Sequence, residues 1–175
     1  DVDGFHANNM GYLAMERREP LFVPCTPLGC FELLKEYNID IEGKEVVVVG
    51  KSNIVGLPMA LIMMKEMGTV TVCHIKTKKI EEHTRRADIL IVGVGKAHLV
   101  KKDWVKEGAV VIDIGINVLR DETRKRGYRL VGDVDYENVK NVASYITPVP
   151  GGVGPMTVCM LIKNTLKSYK NLNGY

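Results

Sequence analysis

The sequence has little of several features that would place it in a specialised class of protein. Its net charge is only +3 over 175 residues, and lysine and arginine are scattered, which gives no basis for a nucleic-acid or membrane surface. No apolar run is long enough to span a bilayer, and the sequence shows no secretory signal, internal repeat or low-complexity segment. These absences indicate a globular domain that binds neither nucleic acid nor membrane.

Cysteine is also scarce, and no two cysteines form the CxxC pair that is typical of metal sites. A domain of this size does not need disulfides, and the four cysteines stand in apolar or strand-like surroundings. We therefore predict that all four are buried thiols: Cys25, Cys30, Cys73 and Cys159. This implies a reducing compartment, so a cytoplasmic location is expected, with an organelle as the alternative.

What is present is an alternation of short apolar strands and helices. The run Val46–Val49, ended by Gly50, is typical of a strand that is covered on both faces. Strands are predicted at residues 46–49, 69–74, 89–92, 110–112 and 145–147, and helices at 26–37, 58–67, 80–87 and 156–169. This order predicts an α/β fold with a Rossmann-like, doubly wound parallel sheet, whose ligands bind at the carboxyl ends of the strands.

Three parts of the chain are predicted. Residues 1–25 are interpreted as a connector, residues 26–155 as the Rossmann-like domain, and residues 156–175 as a terminal helix. Thr26 is predicted to cap the first helix, with Pro27 at its first position, and the charged segment 120–129 is predicted to be a solvated hairpin or loop. Four apolar residues share a stripe on the terminal helix: Val158, Leu161, Ile162 and Leu166.

The loop after the first strand, residues 50–56, is a candidate phosphate site. It has a glycine at each end, Lys51 and Ser52 between them, and a helix directly after it. Its spacing does not match the usual G-x-G-x-x-G fingerprint, so a purely structural turn is an equal alternative.

The end of the second strand carries no carboxylate that could hold the ribose hydroxyls of NAD. Instead, three lysines follow His74 within residues 75–79, and together with Lys51 they favour a cofactor with a 2′-phosphate. The alternative is a solvated basic turn. His74 itself is expected to be a satisfied strand-end histidine, and loop capping is the expected role of both Asp113 and Asp133.

The segment Thr147–Thr157 contains three prolines and three glycines between a strand and a helix. Proline fixes the backbone and glycine permits close approach, so this loop has a defined shape and an open surface. At the cofactor edge of the sheet it suits a nicotinamide or another flat ring.

Seven segments together carry a resemblance to a known family. They are residues 1–5, 24–27, 50–58, 87–90, 113–117, 131–134 and 147–157. In this order, they resemble motifs of the bifunctional methylenetetrahydrofolate dehydrogenase/methenyltetrahydrofolate cyclohydrolase family, and they cover nearly the whole chain. The proline- and glycine-rich segment is the most specific of them.

The resemblance implies roles for individual residues. Gly50, Lys51 and Ser52 are expected to hold the phosphate and ribose of the cofactor, and Ile116 to lie against the nicotinamide. Asp3 is expected to hold the pterin ring. The expected border of the folate site is formed by Pro150, Gly151, Gly152, Val153 and Gly154.

The resemblance also implies an activity: oxidation of 5,10-methylenetetrahydrofolate with NADP or NAD, followed by hydrolysis to 10-formyltetrahydrofolate. NADP is the expected cofactor. However, Lys51 stands where many members have arginine, and Ile75 stands where NADP-using members commonly have serine, so NAD is the alternative.

The family's catalytic lysine and tyrosine belong to a preceding domain. The chain opens at Asp1 without an initiator methionine, which we interpret as a fragment of a longer protein. The terminal helix is then expected to have one face without its partner, and the fragment alone to be inactive. Tetrahydrofolate substrate and a homodimer are the expected partners, and the alternative function is a stand-alone dinucleotide-binding module without catalysis.

Overall fold

The structure is a computed structural model that describes residues 1–174. Its helices are α1 (Ala7–Ala14), α2 (Cys25–Glu36), α3 (Gly56–Lys65), α4 (Ile80–Thr84), α5 (Tyr136–Val139) and α6 (Val153–Asn173). Its strands are β1 (Glu45–Val49), β2 (Thr69–Cys73), β3 (Ile89–Val92), β4 (Val110–Asp113), β5 (Asn117–Arg120), β6 (Tyr128–Val131) and β7 (Tyr145–Ile146). No helix among these residues is long and apolar enough to cross a lipid bilayer.

The main sheet has five strands in the order β2-β1-β3-β4-β7, and every neighbouring pair is parallel. Side chains alternate across it, because successive residues of a strand point to opposite faces. Val46 and Val48 pack with α1, α2, α3 and the start of α6, whereas Val47 and Val49 pack on the α4 and α5 side. The predicted doubly wound α/β fold is confirmed.

The charged segment after β4 forms a separate hairpin. Strands β5 and β6 pair antiparallel, with Asn117 opposite Val131 and Arg120 opposite Tyr128. This confirms the hairpin alternative for residues 120–129, although the two strands extend beyond the charged residues.

The N-terminal segment, which is predicted to be a connector, contributes side chains to the core. Helix α1, which the sequence analysis does not predict, buries Leu13 in the cluster beneath the sheet, and Phe22 is also buried. The predicted cap at Thr26 is wrong, because α2 already begins at Cys25 and has no side-chain cap. The Thr26 hydroxyl instead hydrogen-bonds the Thr157 hydroxyl of α6 at 3.0 Å.

The terminal helix begins earlier than predicted and is longer. Its buried residues are Val153, Met160 and Asn164, and the helix packs against α2. The predicted apolar stripe lies on the outside of the helix, where Ile162 is 65% exposed.

Three of the four cysteines are buried, as predicted, but Cys159 is exposed on α6, so its predicted burial is wrong. The error follows from the helix position, because Cys159 is adjacent to Met160 and therefore points away from the buried face. Burial raises the pKa of the Cys30 thiol to about 12, which keeps that thiol protonated and unreactive.

Candidate cofactor site at the carboxyl edge of the sheet

The loops that follow the parallel strands are joined at one edge. The Gly50 N–H donates to the Cys73 carbonyl at 2.9 Å, which places the loop after β1 beside the turn after β2. The Gly93 N–H donates to Val49, also at 2.9 Å, which continues the series to β3. The predicted phosphate loop and the predicted basic turn are therefore neighbours.

The loop between β1 and α3 leaves no room for side chains at its two glycines. Gly50 has φ of +127°, in a region that side-chain-bearing residues rarely adopt, and a β carbon there would overlap the Gly93 carbonyl oxygen. A β carbon at Gly56 would in turn overlap the Gly50 carbonyl oxygen. The two glycines therefore let the loop turn tightly between β1, β3 and the start of α3, which is the packing role that glycines have in dinucleotide-binding loops.

Ser52 organises this loop through its own hydrogen bonds. Its hydroxyl accepts from the N–H groups of Val55 at 3.2 Å and Gly56 at 3.4 Å, and its carbonyl accepts from Leu57 at 2.9 Å. The first N–H groups of α3 are thus already satisfied. Within this loop, the N–H groups of residues 51–54 have no acceptor among residues 1–174, so these are the loop donors that can meet a ligand.

The turn after β2 is tight and basic. The His74 N–H donates to the Thr77 hydroxyl, and the Lys76 N–H donates to the Nδ1 atom of His74, so His74 is satisfied locally as predicted. Lys79 pairs with Glu82 at 2.9 Å, whereas Lys76 has no ion-pair partner among the described residues. Ile75 is 97% exposed at the tip of the turn.

Asp113 and Asp133 are buried and cap loops, as predicted. Asp113 accepts the N–H groups of Gly115, Asp133 and Val134 at 2.8 to 3.0 Å. Asp133 accepts those of residues 94–96 at 2.6 to 2.9 Å, and also the side-chain amide of Asn117. Burial, as the largest effect, raises the pKa of Asp113 to about 6 despite its three donors.

The proline- and glycine-rich segment is held against the end of β4 by Thr147. The Thr147 hydroxyl accepts the N–H of Asp113 at 2.8 Å. A cavity of about 190 Å³ lies between this segment and the turn that follows β4. Its lining includes Ile116 together with Pro150, Gly151, Gly152, Val153 and Gly154, so the structure brings the predicted nicotinamide and folate residues together.

Asp3 lies elsewhere. It is exposed in the turn before α1 and is not among the residues lining that cavity within residues 1–174. Asn164 of α6 fixes this turn by donating to the carbonyls of Val2 at 2.9 Å and Val23 at 3.1 Å. The predicted pterin contact therefore sits on the surface shared by the N-terminal turn and α6.

Two polar residues of the site were not singled out from the sequence. In the sequence, Thr147 stands out only as the junction of a predicted strand and the loop after it, and Asn117 only as part of a motif. Thr147 directly follows a strand, at the edge where ligands bind, and that position was an available signal. The contact of Asn117 with Asp133 joins residues 16 positions apart and leaves no signal in one sequence.

Comparison with known proteins assigns the chain. Residues 24–173 match the family described as tetrahydrofolate dehydrogenase/cyclohydrolase, NAD(P)-binding domain. The chain belongs to this family. The match confirms the resemblance seen in the sequence and identifies the carboxyl edge as that of an NAD(P)-binding domain.

Individual relatives agree with this assignment. The bifunctional protein FolD 4, chloroplastic, of Arabidopsis thaliana is 59% identical over 175 residues, covering 100% of this chain and 49% of the relative. A FolD methylenetetrahydrofolate dehydrogenase/cyclohydrolase structure from Campylobacter jejuni is 55% identical, with a TM-score of 0.88 over 98% of this chain and 58% of its own. The Trypanosoma brucei enzyme, complexed with NADP and an inhibitor, is 45% identical with a TM-score of 0.93 over the same shares.

The chain therefore spans about half to three fifths of the length of the relatives it matches.

Proposed function

We propose that this chain is the cofactor-binding part of an enzyme that oxidises 5,10-methylenetetrahydrofolate with NADP and hydrolyses the product to 10-formyltetrahydrofolate. The observation that carries the proposal is the cavity shared by Ile116 and the segment 148–155. A pure cofactor binder needs the phosphate loop but has no need of a shaped pocket beside the nicotinamide end. Family membership and the two named activities of the relatives support the same proposal.

The residues at the first loop fit the phosphates of NADP. Gly50 and Gly56 let the loop turn tightly onto the start of α3, and the free N–H groups of residues 51–54 supply donors. Lys51 and Lys76 are exposed on adjoining loops and carry positive charge for a 2′-phosphate. A lysine acts there as a point charge rather than as a bidentate donor.

The nicotinamide and the folate would meet in the cavity beside β4. When bound, the cofactor supplies the acceptor for the hydride that leaves the substrate. The contribution of this chain is orientation: Ile116 offers an apolar surface to one ring, and residues 150–154 border the other. Asp3, on the N-terminal turn, is proposed to hold the pterin.

The lysine and tyrosine of the folate chemistry are proposed to belong to a preceding domain, which would pack on the exposed stripe of α6. In support, the relatives are up to twice as long as the region they share with this chain. The chain alone is then expected to bind cofactor without turnover. Turnover by the chain alone would contradict this division, and binding of cofactor without any response to a folate in the full-length enzyme would favour the binding-module alternative.

The deciding experiment is calorimetric titration of the chain with NADP and with NAD at one ionic strength. We expect NADP to bind more tightly, and Lys51→Ala to weaken NADP binding by about 1 to 2 kcal/mol while leaving NAD binding unchanged. Lys125→Ala, in the hairpin, is the matched control and should change neither affinity. Equal loss of NADP and NAD affinity in Lys51→Ala would contradict a role at the 2′-phosphate.

A homodimer and a cytoplasmic location complete the proposal. The dimer is tested by light scattering coupled to size-exclusion chromatography, where a monomeric mass at micromolar concentration would contradict it. The location is supported by the three buried free thiols, and an organelle is the alternative because the A. thaliana relative is described as chloroplastic.

A further inference from the structure

Two carboxylates at the carboxyl edge are buried without an ion pair. Asp113 is 2% exposed and Asp133 is fully buried, and neither has a basic side chain within ion-pair distance among residues 1–174. Each is instead satisfied by backbone N–H groups, with three donors to Asp113 and three to Asp133. Burial of two neighbouring carboxylates is costly, so their donors must offset that cost.

The two residues are interlocked. Asp113, at the end of β4, holds the N–H groups of Asp133 and Val134 that follow β6. Asp133, two residues after β6, is packed against the turn that follows β4, because a β carbon at Gly115 would overlap its carboxylate. In the same way, a β carbon at Gly132 would overlap the carboxylate of Asp113. The Asp113 carboxylate is thus covered by the loop after β6, and the Asp133 carboxylate by the turn after β4.

The interlock reaches all three loops around the nicotinamide end of the edge. Through residues 94–96, Asp133 fixes the loop after β3. Through Gly115, Asp113 fixes the turn that carries Ile116. The N–H of Asp113 donates to Thr147, which begins the proline- and glycine-rich segment. In contrast, no hydrogen bond within the described residues links the pair to the phosphate loop at 50–56.

We infer that Asp113 and Asp133 are positioning residues for the nicotinamide half of the cofactor. The interlocked pair fixes the loop at 94–96 and the turn at 115–116 relative to the segment 147–154, and so sets the shape of the cavity. The inference rests on the proposed binding of NADP at this edge, and it assigns to the pair no contact with the cofactor itself.

The test compares two ligands on the 175-residue chain. NADP carries both halves of the cofactor, whereas adenosine 2′,5′-bisphosphate lacks the nicotinamide half. In Asp133→Asn, an amide NH2 replaces one acceptor oxygen, and NADP affinity should fall about tenfold, while bisphosphate affinity stays within about twofold. Amide exchange at residues 94–96 should accelerate by about tenfold or more in the same variant. Asp103→Asn is the matched control, because that side chain is 72% exposed, and it should alter neither measurement.

If the pair had only a structural role, the folded variant would lose affinity for NADP and for the bisphosphate together, or would lose neither. Either result would overturn the inference. If Asp133→Asn does not fold, Asn117→Ala removes one donor to Asp133 and should show the same split between the two ligands. Failure of the wild-type chain to bind either ligand would contradict the proposed function instead. The exchange measurement then still decides the inference, since unchanged protection at residues 94–96 would overturn it.

Discussion

Gly56, the first residue of α3, lies directly against the carbonyl oxygen of Gly50. A β carbon at position 56 would overlap that oxygen and would also lie 3.0 Å from the α carbon of Lys51. All the atoms involved are backbone, so no side-chain rotation can relieve the overlap. This contact fixes how closely the phosphate loop folds over the start of the helix.

Gly56→Ala is therefore expected to force the loop away from α3. We expect a loss of about 2 to 3 kcal/mol in the free energy of unfolding, as for other overpacked sites, and about tenfold weaker NADP binding. Urea denaturation and calorimetry measure the two effects. Gly11→Ala, in α1, is the control, because no atom of residues 1–174 that is foreign to the helix lies within 4 Å of the added β carbon, and it should keep or raise stability. Equal behaviour of the two variants would contradict the close-approach argument.

Ile75→Ser tests whether the exposed tip of the basic turn limits NADP affinity. The added hydroxyl can donate to a 2′-phosphate beside Lys51, so NADP binding should tighten by about 1 kcal/mol with NAD binding unchanged. Stability should change by less than about 0.5 kcal/mol, because Ile75 is 97% exposed.

Ile75→Ala separates the new hydroxyl from the loss of the apolar side chain. The alanine variant should bind both cofactors as the wild type does. If it matched the serine variant, the gain would come from removing isoleucine, and the 2′-phosphate would lie elsewhere.

The sheet and the role of the buried aspartates could be predicted from the sequence, for local reasons. A run such as Val46–Val49 is apolar at every position only when both faces of the strand are covered. Asp113 and Asp133 each lie at or just after the end of a strand, where N–H groups of nearby loops need acceptors. For the sheet, the signal and its cause lie within a few residues of each other. For the aspartates only the position beside a strand end is a local signal, since Asp133 accepts the N–H groups of residues 94–96 and Asp113 accepts those of residues 133 and 134.

The features that could not be predicted depend on contacts between distant parts of the chain. The apolar stripe of α6 satisfies the usual helical spacing, but α2 packs on the other side, around Asn164. Likewise, Ser52 is of a residue type that often binds phosphate. Only the structure shows that its hydroxyl accepts the N–H groups of Val55 and Gly56 at the start of α3. The interlock of Asp113 and Asp133 joins the ends of two strands that one sequence cannot align.

The pKa of Asp113 predicts a pH dependence of stability. Burial raises this pKa from 3.8 to about 6, so between these values the folded chain holds a proton that the unfolded chain has released. Stability from this group is therefore greatest at low pH and is lost as the pH rises through about 6. The contribution between pH 4 and pH 7 is about 3 kcal/mol, from the size of the shift.

The measurement is urea denaturation of the wild type and Asp113→Asn from pH 4 to pH 7. The difference between their free energies of unfolding isolates the contribution of the Asp113 carboxyl group. The difference should change most between pH 4 and pH 6. Asp88 does not interfere with this measurement. Its hydrogen bond with Lys106 lowers its pKa from the ordinary value of 3.8, so its contribution to stability changes only below about pH 3.8. A difference that stays constant over the whole range would show that Asp113 titrates normally.

Asn164→Ala is expected to release the N-terminal turn from α6 without affecting the cofactor edge. The Asn164 side chain is 4% exposed, and its amide donates to two carbonyls, those of Val2 and Val23. Removing it leaves the part-buried Val23 carbonyl without this donor and the Val2 carbonyl with only the weak donor of the Cys25 thiol, at a cost of about 1 to 3 kcal/mol.

Urea denaturation should show this loss, and amide exchange should accelerate in residues 1–5 while NADP affinity stays unchanged. Asn173→Ala is the matched control, since among residues 1–174 the Asn173 amide donates only to the Tyr169 carbonyl of α6, and stability should change by less than about 0.5 kcal/mol. Weakened NADP binding in a folded Asn164→Ala would mean that the N-terminal turn supports the cofactor as well. The proposed separation between Asp3 at the pterin and the loops at the nucleotide would then fail.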